Sequence, residues 1–110
     1  KFTSVDDNAI GFAKNSLISE GCEIHGATVE GCILSPNVKI SKYSKITNSI
    51  IMEDVEIGEY AEISNAIIDK VVKIPNYVKI GVDKKEDISR GFYVSPDGVT
   101  VIPKGAKLYV

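Results

Sequence analysis
Aliphatic residues recur along this chain on a short, regular beat. The segment Asn15-Ser16-Leu17-Ile18 returns as Gly31-Cys32-Ile33-Leu34, Asn48-Ser49-Ile50-Ile51 and Asn65-Ala66-Ile67-Ile68, at nearly constant intervals. Within each interval further columns appear, Ile24/Ile40/Ile57/Ile74 and Val29/Ile46/Ile63/Ile80. From Leu34 to Ile80 the steps are 6, 6, 5, 6, 6, 5, 6 and 6, so three short steps make one period. Apolar residues pair at i and i+2, as in Val38/Ile40, Val55/Ile57, Val72/Ile74 and Val78/Ile80, which is strand alternation and not the 3,4 spacing of a helix. Strands this short cannot bury a face alone, whereas equivalent positions of successive repeats can stack into a continuous core.

The expected architecture is all-β, a triangular parallel β-helix of about four coils over residues 15–81. Burial of one isoleucine is worth about 1.5–3 kcal/mol, so a dozen column positions can offset much of the chain entropy. The crossover rule for parallel strands favours right-handed connections. The six-residue spacing with small residues at the corners resembles the hexapeptide repeat, and that resemblance implies a left-handed coil. Residues 1–14 lack the repeat and are expected to be a linker or a strand from a preceding domain; residues 82–110 do not continue it either. There Asp83-Lys84-Lys85-Glu86-Asp87 reads as a solvated connector or short helical turn. Ser95-Pro96-Asp97-Gly98 has the proline and glycine positions of a type I turn, followed by the apolar run Val99–Ile102. This tail is expected to fold back as a C-terminal capping segment over the last coil, where unpaired backbone would otherwise be open.

Composition narrows the chemistry. The 110 residues suit one domain, 44% hydrophobic and 25% charged, with no tryptophan, so the core must be aliphatic. A formal charge of -2 gives no basic field for nucleic acid, and no apolar run is long enough for a membrane span. The start at Lys1 has neither a signal peptide nor an initiator methionine, which suggests a cytoplasmic piece of something longer. Cys22 and Cys32 lack metal-ligand spacing and fall in columns of interior or small residues, so they read as buried, reduced thiols and no metal site is expected. Gly21, Gly26 and Gly31 mark coil turns more readily than a phosphate loop. A hexapeptide acyltransferase would need a histidine base at a coil corner, for which His25 is the single candidate; its bland reading is a solvated turn residue.

The order of motifs carries a closer resemblance. Lys1-Phe2, Asn15-Ser16-Leu17-Ile18-Ser19-Glu20-Gly21-Cys22, Ile67-Ile68-Asp69-Lys70, Ile74-Pro75, Ile80-Gly81, Gly91-Phe92-Tyr93 and the tail Ser95 to Lys104 are together similar to the C-terminal third of bacterial glucose-1-phosphate adenylyltransferases (ADP-glucose pyrophosphorylases). The resemblance implies a regulatory and assembly domain. It implies a missing N-terminal nucleotidyltransferase domain that uses ATP and magnesium to make ADP-glucose for glycogen synthesis. It also implies a homotetramer and a phosphorylated metabolite effector such as fructose 1,6-bisphosphate. Nothing here resembles that family's glycine-rich nucleotide loop or metal-binding aspartates, so no catalytic residue is carried over and the chain alone is expected to be inactive. By position in the motifs, Lys70 and Lys104 match places where related enzymes put an arginine that meets the effector phosphate. Lysine keeps the charge and loses the bidentate fork. Arg90 is a weaker third candidate. Two other readings remain open: a hexapeptide acyltransferase domain, and a structural module of a noncatalytic paralogue.

Overall fold
The computed structural model describes residues 2, 3 and 12–108. Strands of two or three residues visit three sheets in strict rotation from Phe2 to Ile80. Sheet A is built from Phe2–Thr3, Glu23–His25, Lys39–Ile40, Glu56–Ile57 and Lys73–Ile74. Sheet B takes Phe12–Lys14, Thr28–Glu30, Lys45–Thr47, Glu62–Ser64 and Lys79–Ile80. Sheet C takes Leu17–Ile18, Ile33–Leu34, Ile50–Ile51, Ala66–Ile68 and Thr100–Ile102, with Tyr93–Val94 at its edge. Every pairing is parallel except that of the edge strand. The product is the expected parallel β-helix of about four coils.

Each coil bonds to the next through its backbone, as in Glu23 N–H to Val38 C=O (2.9 Å), Lys39 to Val55 (3.0 Å) and Glu56 to Val72 (3.0 Å). A two-residue strand has no stability of its own, so stacking carries the fold. The columns Ile24/Ile40/Ile57/Ile74 and Val29/Ile46/Ile63/Ile80 are buried, and Leu34, Ile51, Ile68 and Ile102 complete the third wall of the core. β-Branched residues suit this pleated surface because their rotamers are already restricted.

The corners need backbone in the left-handed region. Asn15, Asn48 and Asn65 (φ 51°, 47° and 49°) supply it between sheets B and C, where asparagine is tolerated. At Gly81 (φ 77°) an added Cβ would run into the carbonyl oxygen of Ser64, so only glycine fits. Between sheets A and B the same conformation is held by Tyr43, Tyr60 and Tyr77. Their rings stack at centroid distances of 4.9 and 5.2 Å, and this stacking offsets the backbone cost.

The ladder runs beyond the repeat visible at residues 15–81. Phe2–Thr3 and Phe12–Lys14 join sheets A and B as the first strands. Phe2 pairs with Ile24 and Phe12 with Thr28, so the first rung closes over more chain in sheet A than in sheet B, and this unequal spacing hides the register in the sequence. Positions 1 and 4–11 of the segment 1–14 lie outside the described residues.

At the other end the tail does fold onto the last coil, but it resumes the ladder and does not merely cover it. Ala66 pairs with Thr100 and Ile68 with Ile102, an offset of twice the coil length. Lys73 then bridges Lys107 at the same offset. Residues 82–99 are therefore an insertion in a coil. Its first part is helix α1 (Lys84–Ser89), capped by the Asp83 carboxylate, which accepts from the N–H groups of Lys85 and Glu86. Asp87 departs from the solvated reading of this charged run: it is buried, and its Oδ2 accepts from Gly81 N–H (2.9 Å) and Thr100 Oγ1 (2.7 Å). One carboxylate thus ties the residue where the insertion leaves the coil to the residue where it returns. Gly98 N–H donates to Ser95 C=O (2.9 Å), closing the expected turn.

Candidate functional site
The corner between sheets C and A carries the residues singled out for anion contact. Successive coils place Glu20, Pro36, Glu53, Lys70 and Lys104 there, each followed by a residue at positive φ: Gly21, Asn37, Asp54, Val71 and Gly105. The N–H of each second residue donates to the first residue of the preceding coil, Asn37 to Glu20 (3.2 Å), Asp54 to Pro36 (3.3 Å), Val71 to Glu53 (3.1 Å) and Gly105 to Lys70 (3.3 Å). Lys70 and Lys104 therefore occupy equivalent positions on adjacent rungs, although the whole insertion lies between them in the chain. Both are exposed. Lys70 Nζ lies 3.8 Å from Asp69 Oδ1, an exposed pair of small energetic weight.

Arg90 is not brought to this corner. Its guanidinium bonds to Glu86 Oε1 (2.6 Å) and to Lys79 C=O (3.2 Å), and it lines a small cavity of about 180 Å³ with Phe92, Lys107 and Leu108. His25 lies on sheet A, half-buried, with Nε2 3.8 Å from Glu23 Oε1. Cys22 and Cys32 are buried and form no disulfide, and burial pushes the Cys32 thiol above its ordinary range. Among the described residues, no group of three or more His, Cys, Asp or Glu side chains is placed to hold a metal. No helix among them is long and apolar enough to cross a membrane.

The outer surfaces of the three sheets differ. Sheet A presents Glu23, Lys39, Glu56 and Lys73 in register, and sheet B presents Lys45, Glu62 and Lys79. Sheet C presents Leu17, Ile33, Ile50, Ile67, Val101 and Tyr93, also in register across all six strands. At about 4.8 Å per strand this apolar row is roughly 24 Å long. Leu17 is 71% and Tyr93 62% exposed. The outward strand residues of sheets A and B are mostly charged, so this continuous apolar row sets sheet C apart.

Three columns of buried aliphatics on a six-residue beat match one family model. Residues 1–102 fit the family described as GlmU-like, C-terminal hexapeptide. The chain belongs to this hexapeptide family. Among its relatives, the glucose-1-phosphate adenylyltransferase of Anaeromyxobacter dehalogenans (strain 2CP-C) is 53% identical over 107 residues, 97% of this chain and 26% of that protein. The enzyme of the same name from Anaeromyxobacter sp. (strain Fw109-5) is 43% identical over 107 residues, with the same coverage. That of Bifidobacterium adolescentis is 37% identical over 105 residues, 96% of this chain and 25% of that protein. This hexapeptide chain thus spans about a quarter of the length of the curated relatives it matches.

Proposed function
We propose that the chain is the C-terminal regulatory and assembly domain of a glucose-1-phosphate adenylyltransferase, the enzyme that joins ATP and glucose 1-phosphate into ADP-glucose for glycogen synthesis. The observation that carries this reading is the near-complete match of the chain to a quarter of enzymes bearing that name. Magnesium and ATP are assigned to the nucleotidyltransferase part outside this chain, so the purified 110 residues make no ADP-glucose. The apolar row on sheet C is the face that packs on the nucleotidyltransferase part. About three-quarters of each relative's length lies outside the match and is available to cover it. The parent enzyme is a cytoplasmic homotetramer.

Lys70 and Lys104, stacked at one exposed corner, contact the phosphate of a metabolite effector. Two adjacent ammonium groups suit a dianion better than one does, because each can donate to a different phosphate oxygen. Replacing either lysine by alanine in the full-length enzyme removes a contact worth about 1.5–3 kcal/mol. The half-activating concentration of fructose 1,6-bisphosphate is then expected to rise about 10- to 100-fold, with unactivated turnover nearly unchanged. Activation curves for each variant against several sugar and glycolytic phosphates test this. Unchanged half-activating concentrations for every effector that activates the parent would remove both lysines from the site.

A further inference from the structure
We propose that the groove outside the last two rungs of sheet A is a second anion subsite, in which Lys73 and Lys107 hold the phosphate of a small phosphate ester whose organic part lies on an apolar wall. The proposal deepens the effector reading by adding a neighbouring subsite with its own residues.

Charge order along sheet A points to it. Glu23 pairs with Lys39, Lys39 with Glu56, and Glu56 with Lys73, so opposite charges face each other at every step, and Lys73 Nζ lies 3.6 Å from Glu56 Oε2. Like charges directly opposite one another are unfavourable. The next rung nevertheless repeats the cation, with Lys107 bridged in parallel to Lys73. The corner column makes the same change on the same rungs, from Glu20 and Glu53 to Lys70 and Lys104. Four lysines thus sit beside two paired carboxylates, Asp69 and Glu56, and no carboxylate of the described residues pairs with Lys104 or Lys107.

The shape agrees with the charge. Lys73, Lys107 and Glu56 border a groove of about 640 Å³ whose apolar wall includes Val71, Pro75 and Leu108. Val71 is a β-branched residue at φ 56°, a conformation the same corner otherwise gives to Gly21, Asn37, Asp54 and Gly105. It is 58% exposed, so the core does not require it. Strands about 4.8 Å apart let two lysine side chains reach oxygens of one phosphate, and a phosphomonoester carries about -1.5 to -2 at neutral pH.

The test is an amide chemical-shift titration of the 110-residue chain with inorganic phosphate and with phenyl phosphate at constant ionic strength. Saturable shifts are expected around residues 73 and 105–107, with phenyl phosphate the tighter ligand because it also uses the wall. Lys107→Gln should weaken phenyl phosphate by about fivefold or more and Lys107→Arg should restore it, while Lys70→Gln and Lys104→Gln change it less than about twofold. Unaltered thermal melting of Lys107→Gln separates lost binding from lost folding. Unsaturated shifts spread over lysines of all three sheets would overturn the subsite, as would equal affinity of Lys107→Gln and the parent. If Lys70→Gln and Lys104→Gln abolish binding and Lys107→Gln does not, the second subsite fails and the corner reading stands.

Discussion

The outer surfaces of sheets A and C differ although their inner surfaces are alike. Inside, both walls are stacks of aliphatic residues with almost no exposure. Outside, sheet A alternates glutamate and lysine, whereas sheet C lines up Leu17, Ile33, Ile50, Ile67, Val101 and Tyr93. The inward residues alone are enough to stack the coils, so outward residues are free to serve other ends. The alternating charges of sheet A keep that wall solvated, and the one cross-strand ion pair among its described residues, Lys73 with Glu56, contributes little stability. An apolar outer column contributes nothing to solubility, and the proposed packing of the nucleotidyltransferase part on sheet C would account for its presence.

The largest expected effect separates inside from outside within one strand. Leu34→Asp places a charge in the core, where burial without a partner costs several kcal/mol, and should unfold the isolated chain or lower its melting temperature severely. Ile33→Asp, one residue away and 45% exposed, should cost less than about 1 kcal/mol in the same chain. Equal melting temperatures for the two variants would break the comparison. A middle effect belongs to Asp87. Asp87→Ala leaves Gly81 N–H and Thr100 Oγ1 without their acceptor and should cost about 2 kcal/mol, read by urea unfolding. Because Thr100–Ile102 and Tyr93–Val94 form the end of sheet C, amide exchange there should rise most, while sheet A is nearly unaffected. The smallest effect is expected on sheet A's exterior. Glu56→Gln removes the partner of an exposed lysine and should change stability by less than about 1 kcal/mol, declining further with added salt.

Particular residues explain what could be read in advance. The coil and its inward columns were legible because an aliphatic residue every five or six positions has no other economical arrangement. The outer row of sheet C was written in the same segments and missed. Neighbouring residues of a strand point to opposite faces, so Leu17-Ile18, Ile33-Leu34, Ile50-Ile51 and Ile67-Ile68 must each expose one member, whereas Lys39-Ile40 and Glu62-Ile63 expose a charge. The resumed ladder at Thr100 was hidden by the insertion at 82–99, which breaks the beat and restores it only two coil lengths after Ala66. Lys70 and Lys104 were found through family resemblance; their placement on adjacent rungs follows from that offset. Lys107 has no neighbour in the sequence to mark it, and its pairing with Lys73 appears only once the insertion is passed. Asp87 was concealed within a charged run because nothing local distinguishes a buried carboxylate from its solvated neighbours.

Cysteine labelling tests the outer-face comparison most directly. Ile50→Cys on sheet C and Lys45→Cys on sheet B place single exposed thiols on the two kinds of surface, while Cys22 and Cys32 remain buried. In the 110-residue chain both new thiols should react with a maleimide at similar rates. In the full-length enzyme the account predicts that Ile50→Cys is protected by about tenfold or more while Lys45→Cys is unchanged, which would place the remaining chain on the apolar row. Equal labelling of Ile50→Cys in the two proteins would contradict it.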